Sequence, residues 1–157
     1  MTLSRGKRTD ASAANDEGSA LAEMAIILPM LALLIAGSIE VGRYGYYSIV
    51  VGNAARAGVQ YGAQTLGTAA DDAGMRASAL NDGQHLTGLD ATASHTCRCA
   101  DGTASNCASG DCPTSHRIVF VQVAATGTFG SLLNYPGLPA SVRTITVNNT
   151  ATMRVSP

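Results

Sequence analysis

At 157 residues the chain has room for one modest domain beside a membrane segment. Charged residues are only 13% and hydrophobic ones 46%, with 17 glycines and no tryptophan, so any core must be thin and built from Ala, Val, Ile and Leu. The net charge is −1 and the Arg and Lys residues are scattered without a basic stripe, which argues against nucleic acid as a partner.

Residues 1–18 are polar, carrying Arg5, Lys7 and Arg8, then Asp10, Asp16 and Glu17. Nothing there can bury a face, and the segment reads as a short cytoplasmic leader. From Met24 to Ile39 there is no charge, and from Leu21 to Val41 only Glu23 and Glu40 interrupt the apolar run. That approaches the roughly 20 residues a spanning helix needs. Basic residues precede the run, but Arg43 and Arg56 follow it, so the positive-inside rule favours a cytoplasmic N-terminus by a small margin. Pro29 removes one helical hydrogen bond inside the span and is expected to bend it.

Glu23 is the residue that asks for an explanation. A carboxylate in the bilayer costs about 2.5–3.5 kcal/mol at the centre and less near the interface, where it can snorkel. Gly18 stands five positions before it. A cut after Gly18 would create an ammonium at Ser19, one helical turn from Glu23, and the same group on a neighbouring copy could neutralise the carboxylate.

The helix is expected to continue past the membrane as a stalk, because no proline occurs between Val41 and Gln64. Ala54, Gly58 and Gly62 recur at i, i+4 and i+8 and make a smooth strip where another backbone can approach. Either the stalk packs there against copies of itself, or the small residues let it lie on its own sheet; both can hold on different faces. Tyr44, Tyr46 and Tyr47 sit where interfacial aromatics do.

Asp71 to Asp82 reads as a short helix with Met75, Ala79 and Leu80 on one side and Gly83 as its stop. Leu89, Ala91 and Ala93 alternate faintly, a short strand before the cysteines. Arg117 to Ala125 is a denser strand, and Asn134 to Pro139 is a loop. Ile145, Val147, Ala151, Met153 and Val155 alternate with polar residues, as one long strand or two short ones hinged at Asn148-Asn149. The fold class is α+β: a long N-terminal transmembrane and stalk helix, a short second helix and a small antiparallel sheet. The expected boundaries are 1–18 for the leader, 19–66 for the membrane and stalk helix, and 67–157 for the outer α+β domain.

Cys97, Cys99, Cys107 and Cys112 form an even, tight cluster in a Gly/Ser/Asp-rich setting, which suits two disulfides stapling a loop outside the cytoplasm. Zinc is the rival, but the paired C-x-x-C knuckles of a zinc ribbon are missing. A Cys97–Cys99 ring would be very tight, so each is expected to bond Cys107 or Cys112, in either combination. His85, His95 and His116 show no metalloprotease spacing, and no nucleophile elbow, dinucleotide fingerprint or phosphate-loop lysine occurs. His95 and His116 flank the cysteine cluster and read as solvated loop residues. Asn148-Asn149-Thr150 matches an N-glycosylation acceptor in form only. No enzyme, cofactor or metal site is expected.

Taken together, Gly18 to Ala25, Leu28-Pro29, Glu40-Val41-Gly42-Arg43 and Asn53 to Gly58 resemble the N-terminal region of TadE-like proteins, over about residues 18–65. The closing Ala151 to Val155 resembles that family's last strand, and Met24 stands where the family usually carries an aromatic. The resemblance implies a minor pseudopilin of the tight-adherence (Flp-type) pilus system. A prepilin peptidase would cut between Gly18 and Ser19. The subunit would sit in the bacterial inner membrane, N-terminus cytoplasmic and sheet domain periplasmic. Its partners would be the peptidase, other pilin or pseudopilin subunits and the inner-membrane assembly machinery, with possible incorporation into an extracellular pilus. The alternative is an unprocessed single-pass anchor carrying a periplasmic binding or scaffold domain. A conventional signal peptide ranks last, since no small-residue cleavage site follows the apolar run.

Overall fold

The computed structural model describes residues 10–108, 111–132 and 143–155, with side chains described from residue 18 onward. Helix α1 spans Asp10–Gly62, α2 Leu66–Ala69 and α3 Asp72–Asp82; the strands are β1 (Asp90–Cys99), β2 (Ala104–Ser105), β3 (Arg117–Gly130) and β4 (Thr144–Arg154). This is an α+β arrangement with a four-stranded antiparallel sheet in the order β2-β1-β3-β4. By their internal contacts the residues fall into two units, Met1–Val41 and Gly42–Pro157.

In the first unit, α1 begins at Asp10, inside the segment read from sequence as a short cytoplasmic leader. Residues 10–17 contain three alanines and no Gly or Pro, and acidic groups near a helix N-terminus are favourable. The helix runs on through Pro29. Its apolar side chains are open to the surroundings: Leu21 is 72% exposed, Ile26 68% and Leu34 68%. A helix of this length and composition is able to cross a membrane.

The second unit has a small core made almost wholly of short side chains. Val51, Ala54, Ala55 and Val59 of α1, Met75 and Ala79 of α3, and Val121, Val123 and Ala125 of β3 are essentially inaccessible. They form two clusters, one gathered round Met75 and Val121 and the other joining Val51 to Phe129 and Val147. Both clusters draw on one face of the sheet, the side chains of β3 alternating between it and the opposite face.

The small strip of α1 lies against this domain's own sheet and third helix. A Cβ on Gly58 would come within 2.9 Å of the Met75 carbonyl oxygen and 3.0 Å of both Val123 methyls; one on Gly62 would overlap the Met75 sulfur. Ala54 is fully buried. Tyr44 and Tyr47 are likewise engaged, packing edge-on against Phe129 at ring separations of 5.6 and 5.8 Å, and only Tyr46 is left largely exposed.

Several boundaries move from their sequence expectation. The stalk helix ends at Gly62 rather than residue 66. A separate turn of helix follows, whose Thr65 and Thr68 cap one another's backbone amides. The short helix is as expected: Asp71 accepts from the Gly74 amide at 2.9 Å, and Gly83 closes it. Strand β1 is longer than expected and carries both Cys97 and Cys99, because all ten of its residues pair with β3. Strand β3 continues to Gly130, and β4 is a single strand that passes through Asn148-Asn149 without a hinge. Asn149 keeps the inward register and reaches α1 where the helix offers only Gly52, whose Cβ would stand 3.0 Å from its amide nitrogen. The loop expected over Asn134 to Pro139 lies outside the described residues.

Because the Gly58 contact involves backbone, it cannot relax by a rotamer change. Gly58→Ala is therefore expected to lower stability by about 1–2 kcal/mol, despite the roughly 1 kcal/mol that alanine contributes to an open helix. Urea unfolding of the two proteins, with unchanged m-value, measures this; a stabilised variant would show that α1 does not approach the sheet so closely.

Candidate functional site

The chemistry-bearing residues fall into two groups. Gly18, Ser19 and Glu23 lie in the first unit. Ser19 and Glu23 are one turn apart on the same face of α1, both exposed, and nothing approaches within 4 Å of where a Gly18 Cβ would be. Glu23 makes no ion pair or hydrogen bond with any described residue.

The second group is the cysteine loop. Cys97 is bonded to Cys107 and Cys99 to Cys112, with Cα separations of 5.2 and 5.6 Å, which resolves the two combinations left open by sequence. Cys97 and Cys99 point to the buried face of β1, so both bridges fold the loop toward the core side. Cys107 takes a left-handed backbone (φ 66°), and its amide donates to the Ser105 hydroxyl at 3.1 Å. Arg117 donates to the carbonyls of Cys107 and Ala108, both at 2.8 Å. The Ser105 hydroxyl and the Asn106 amide both donate to the Asp111 carboxylate. The loop is thus tied by its own polar groups as well as by sulfur.

Beside it, Leu66, Ala70, His95, Cys97, Cys107 and Arg117 help to line a shallow cleft of about 110 Å³. That is room for a few waters. His95 is not a solvated loop residue: it sits in β1, partly buried, with Nδ1 3.0 Å from the Asp72 carboxylate. Arg76 joins the same helix to the sheet, contacting Asp90 and the Ala91 carbonyl at 2.8 Å each. The Arg76 contact and the Ala91 amide hold the Asp90 carboxyl below its ordinary value. The Asp71 carboxylate, accepting from the Tyr61 hydroxyl at 2.9 Å, raises the Tyr61 pKa. Among the described residues no three His, Cys, Asp or Glu side chains gather as a metal site.

With this geometry in view, comparison with known proteins adds one match. The model of the TadE-like protein family matches residues 18–60, the stretch that carries Gly18, Glu23 and the small-residue strip. Over that stretch, about a quarter of its length, the chain is similar to TadE-like proteins, a pilus-associated family that is structural rather than enzymatic. No curated protein and no solved structure matches the chain.

Loop electrostatics are measurable directly. Asp101 accepts from the Thr103 hydroxyl at 2.6 Å, from the Thr103 amide at 3.0 Å and from Thr114 at 3.0 Å, and these bonds hold its carboxyl at about 2. A carboxyl depressed in the folded state stabilises the fold above its ordinary value of 3.8, and that contribution disappears as pH falls toward 2. Carbon-13 titration of the Asp101 carboxyl is expected to give a midpoint near 2; a midpoint near 3.8 would mean the three donors do not engage it in solution.

Proposed function

We propose that the chain is a minor pseudopilin of a tight-adherence pilus or secretion system. A membrane-bound prepilin peptidase cleaves it between Gly18 and Ser19. The mature subunit is held in the inner membrane by α1, with residues 67–157 in the periplasm, and enters the assembly laterally through that helix. Partners are the peptidase, other pilin or pseudopilin subunits and the inner-membrane assembly machinery. The observation that carries the reading is the family match over residues 18–60, centred on a helix whose apolar side chains are uncovered.

Glu23 supplies the selectivity in this scheme. Before cleavage its carboxylate has no counter-charge beside it, which costs free energy at a lipid boundary. The new ammonium at Ser19 of an adjoining subunit satisfies it, so that assembly is favoured over dispersal in the membrane. The same pairing within one chain is geometrically available at i, i+4, and neighbouring helices then exchange it. Two disulfides in the loop from Cys97 to Cys112 suit an oxidising compartment and support a periplasmic location for that domain.

Processing is read by intact mass of the membrane-extracted protein. The native chain is expected to begin at Ser19, and Gly18→Ala to accumulate at full length while inserting normally. Functional material that still begins at residue 1 or 2 would replace this reading with that of an unprocessed membrane-anchored scaffold.

Glu23→Ala is expected to be cleaved and stable in the membrane yet to enter fibres at least tenfold less well, as measured by quantitative blotting of sheared pili. Fibre incorporation equal to the native chain would show that Glu23 merely snorkels to the headgroups.

A further inference from the structure

The face of the sheet turned away from the helices carries a chemistry that the N-terminal signature does not account for. On β1, β3 and β4 the residues opposite the buried ones form rows across the strands. Thr96, Phe120 and Arg154 make one row, and Arg98 lies beside Ile118 in the next. Both arginines are exposed, and neither forms an ion pair or hydrogen bond with any described residue. Arg76, Arg117 and Arg43 are occupied, on Asp90, on two loop carbonyls and over the Phe129 ring at 5.2 Å, while Arg56, also exposed, lies on α1 away from this face.

Carboxylates that could compensate the pair are themselves committed. Asp90, at the far end of β1, is bound by Arg76, and Asp101 and Asp111 are held by hydroxyls and amides of the cysteine loop. The outward face therefore presents two unsatisfied guanidinium groups with Phe120 between them. From the strand spacing and the two-residue offset, their Cα atoms stand about 12 Å apart. The next row, Ser94, Gln122 and Thr152, is neutral and rich in hydroxyl and amide groups.

We propose that this face binds an acidic, uronate-bearing polysaccharide. Guanidinium groups take carboxylates as paired hydrogen bonds, which a single carboxylate on every sugar supplies at a spacing two arginines can share. The partly buried Phe120 ring offers an apolar platform for the C–H face of a pyranose, and the hydroxyl and amide row beside it offers donors and acceptors for sugar hydroxyls. Single-stranded nucleic acid would call for several stacking aromatics in succession, and the face has one. An acidic peptide such as polyglutamate would also satisfy the arginines, but it has no pyranose face to lay on the Phe120 ring. Recognition is local: the net charge of −1 supplies no general attraction for polyanions.

The test uses the full-length, disulfide-intact chain in lipid nanodiscs and isothermal titration with alginate oligomers. Dextran oligomers, oligothymidine and polyglutamate of matched length serve as comparisons. Alginate is expected to bind and dextran not to. The double variant Arg98→Gln/Arg154→Gln is expected to bind at least tenfold less tightly, and Arg154→Lys to lose less than Arg154→Gln. Arg56→Gln, a change on α1, is expected to leave binding unaltered. The far-ultraviolet spectrum and unfolding midpoint of each variant must match the parent, as expected for exposed side chains. No alginate binding by the native chain, equal binding by the double variant, or tighter binding to oligothymidine or polyglutamate would each overturn the proposal. Neither processing nor fibre formation enters this measurement, so its outcome is independent of the pseudopilin reading.

Discussion

The outer domain depends on one close approach, that of the α1 backbone to strand β3. With two phenylalanines and no tryptophan in the chain, large side chains cannot fill a gap between helix and sheet. The surfaces must instead come together until alanine and valine suffice. Gly58 makes this possible, for the space its side chain would occupy is already taken by the Met75 carbonyl and the Val123 methyls. Gly52 does the same for Asn149, and on β3 Gly127 makes room for the Tyr47 hydroxyl. Dispersion falls steeply with separation, so a thin core is stabilising only when packed at this distance.

That constraint explains why α1 changes character along its length. From Met24 to Ile39 the residues are uncharged and almost all apolar, with Leu, Ile and Met on every side, which suits a medium of lipid tails and offers no preferred face. From Val51 to Gly62 the buried positions are Val, Gly and Ala, while Asn53, Arg56 and Gln60 are exposed. One helix thus carries two patterns. The first is selected by hydrophobic transfer alone and the second by steric fit to a particular sheet. Mutations in the first should be judged by polarity and in the second by volume.

How much of this could be read from the letters varied with the range of the interaction. Local signals were legible: Asp71 and Gly83 bracket α3 as cap and stop, and the valine-dense strand starts at Arg117. The TadE-like stretch was legible too, for its motifs lie within one helix and the family model matches them over residues 18–60. Nonlocal pairing was not. Strand β1 reads as a weak alternation of Ala, Ser, Thr and His, and only pairing with β3 over its whole length extends it through Cys99. The Thr65–Thr68 cap of α2 was there to be found, but threonine replaces the glutamate that usually announces it. Arg98 and Arg154, far apart in the chain, become companions only through the register of β3 between them.

The cysteine spacing shows where such reasoning can reach and where it stops. Residues two apart on a strand point to the same face, with their Cβ atoms about 6.8 Å apart, whereas a disulfide needs about 3.8 Å. Once Cys97 and Cys99 lie on β1, a bridge between them is excluded, and both sulfurs must be met from one side by the returning loop. The order of partners is then decided by the path of that loop. β2 turns it back along the β1 edge through Cys97↔Ser105, so the next residue to reach the buried face is Cys107, and Cys112 meets Cys99 on the way to β3. Arg117, the first residue of that strand, then ties down the Cys107 and Ala108 carbonyls. The end of the sheet where hydrophobic side chains run out is closed by covalent and charge-assisted bonds instead, the expected recourse of a domain whose apolar core is too small to order its longest loop unaided.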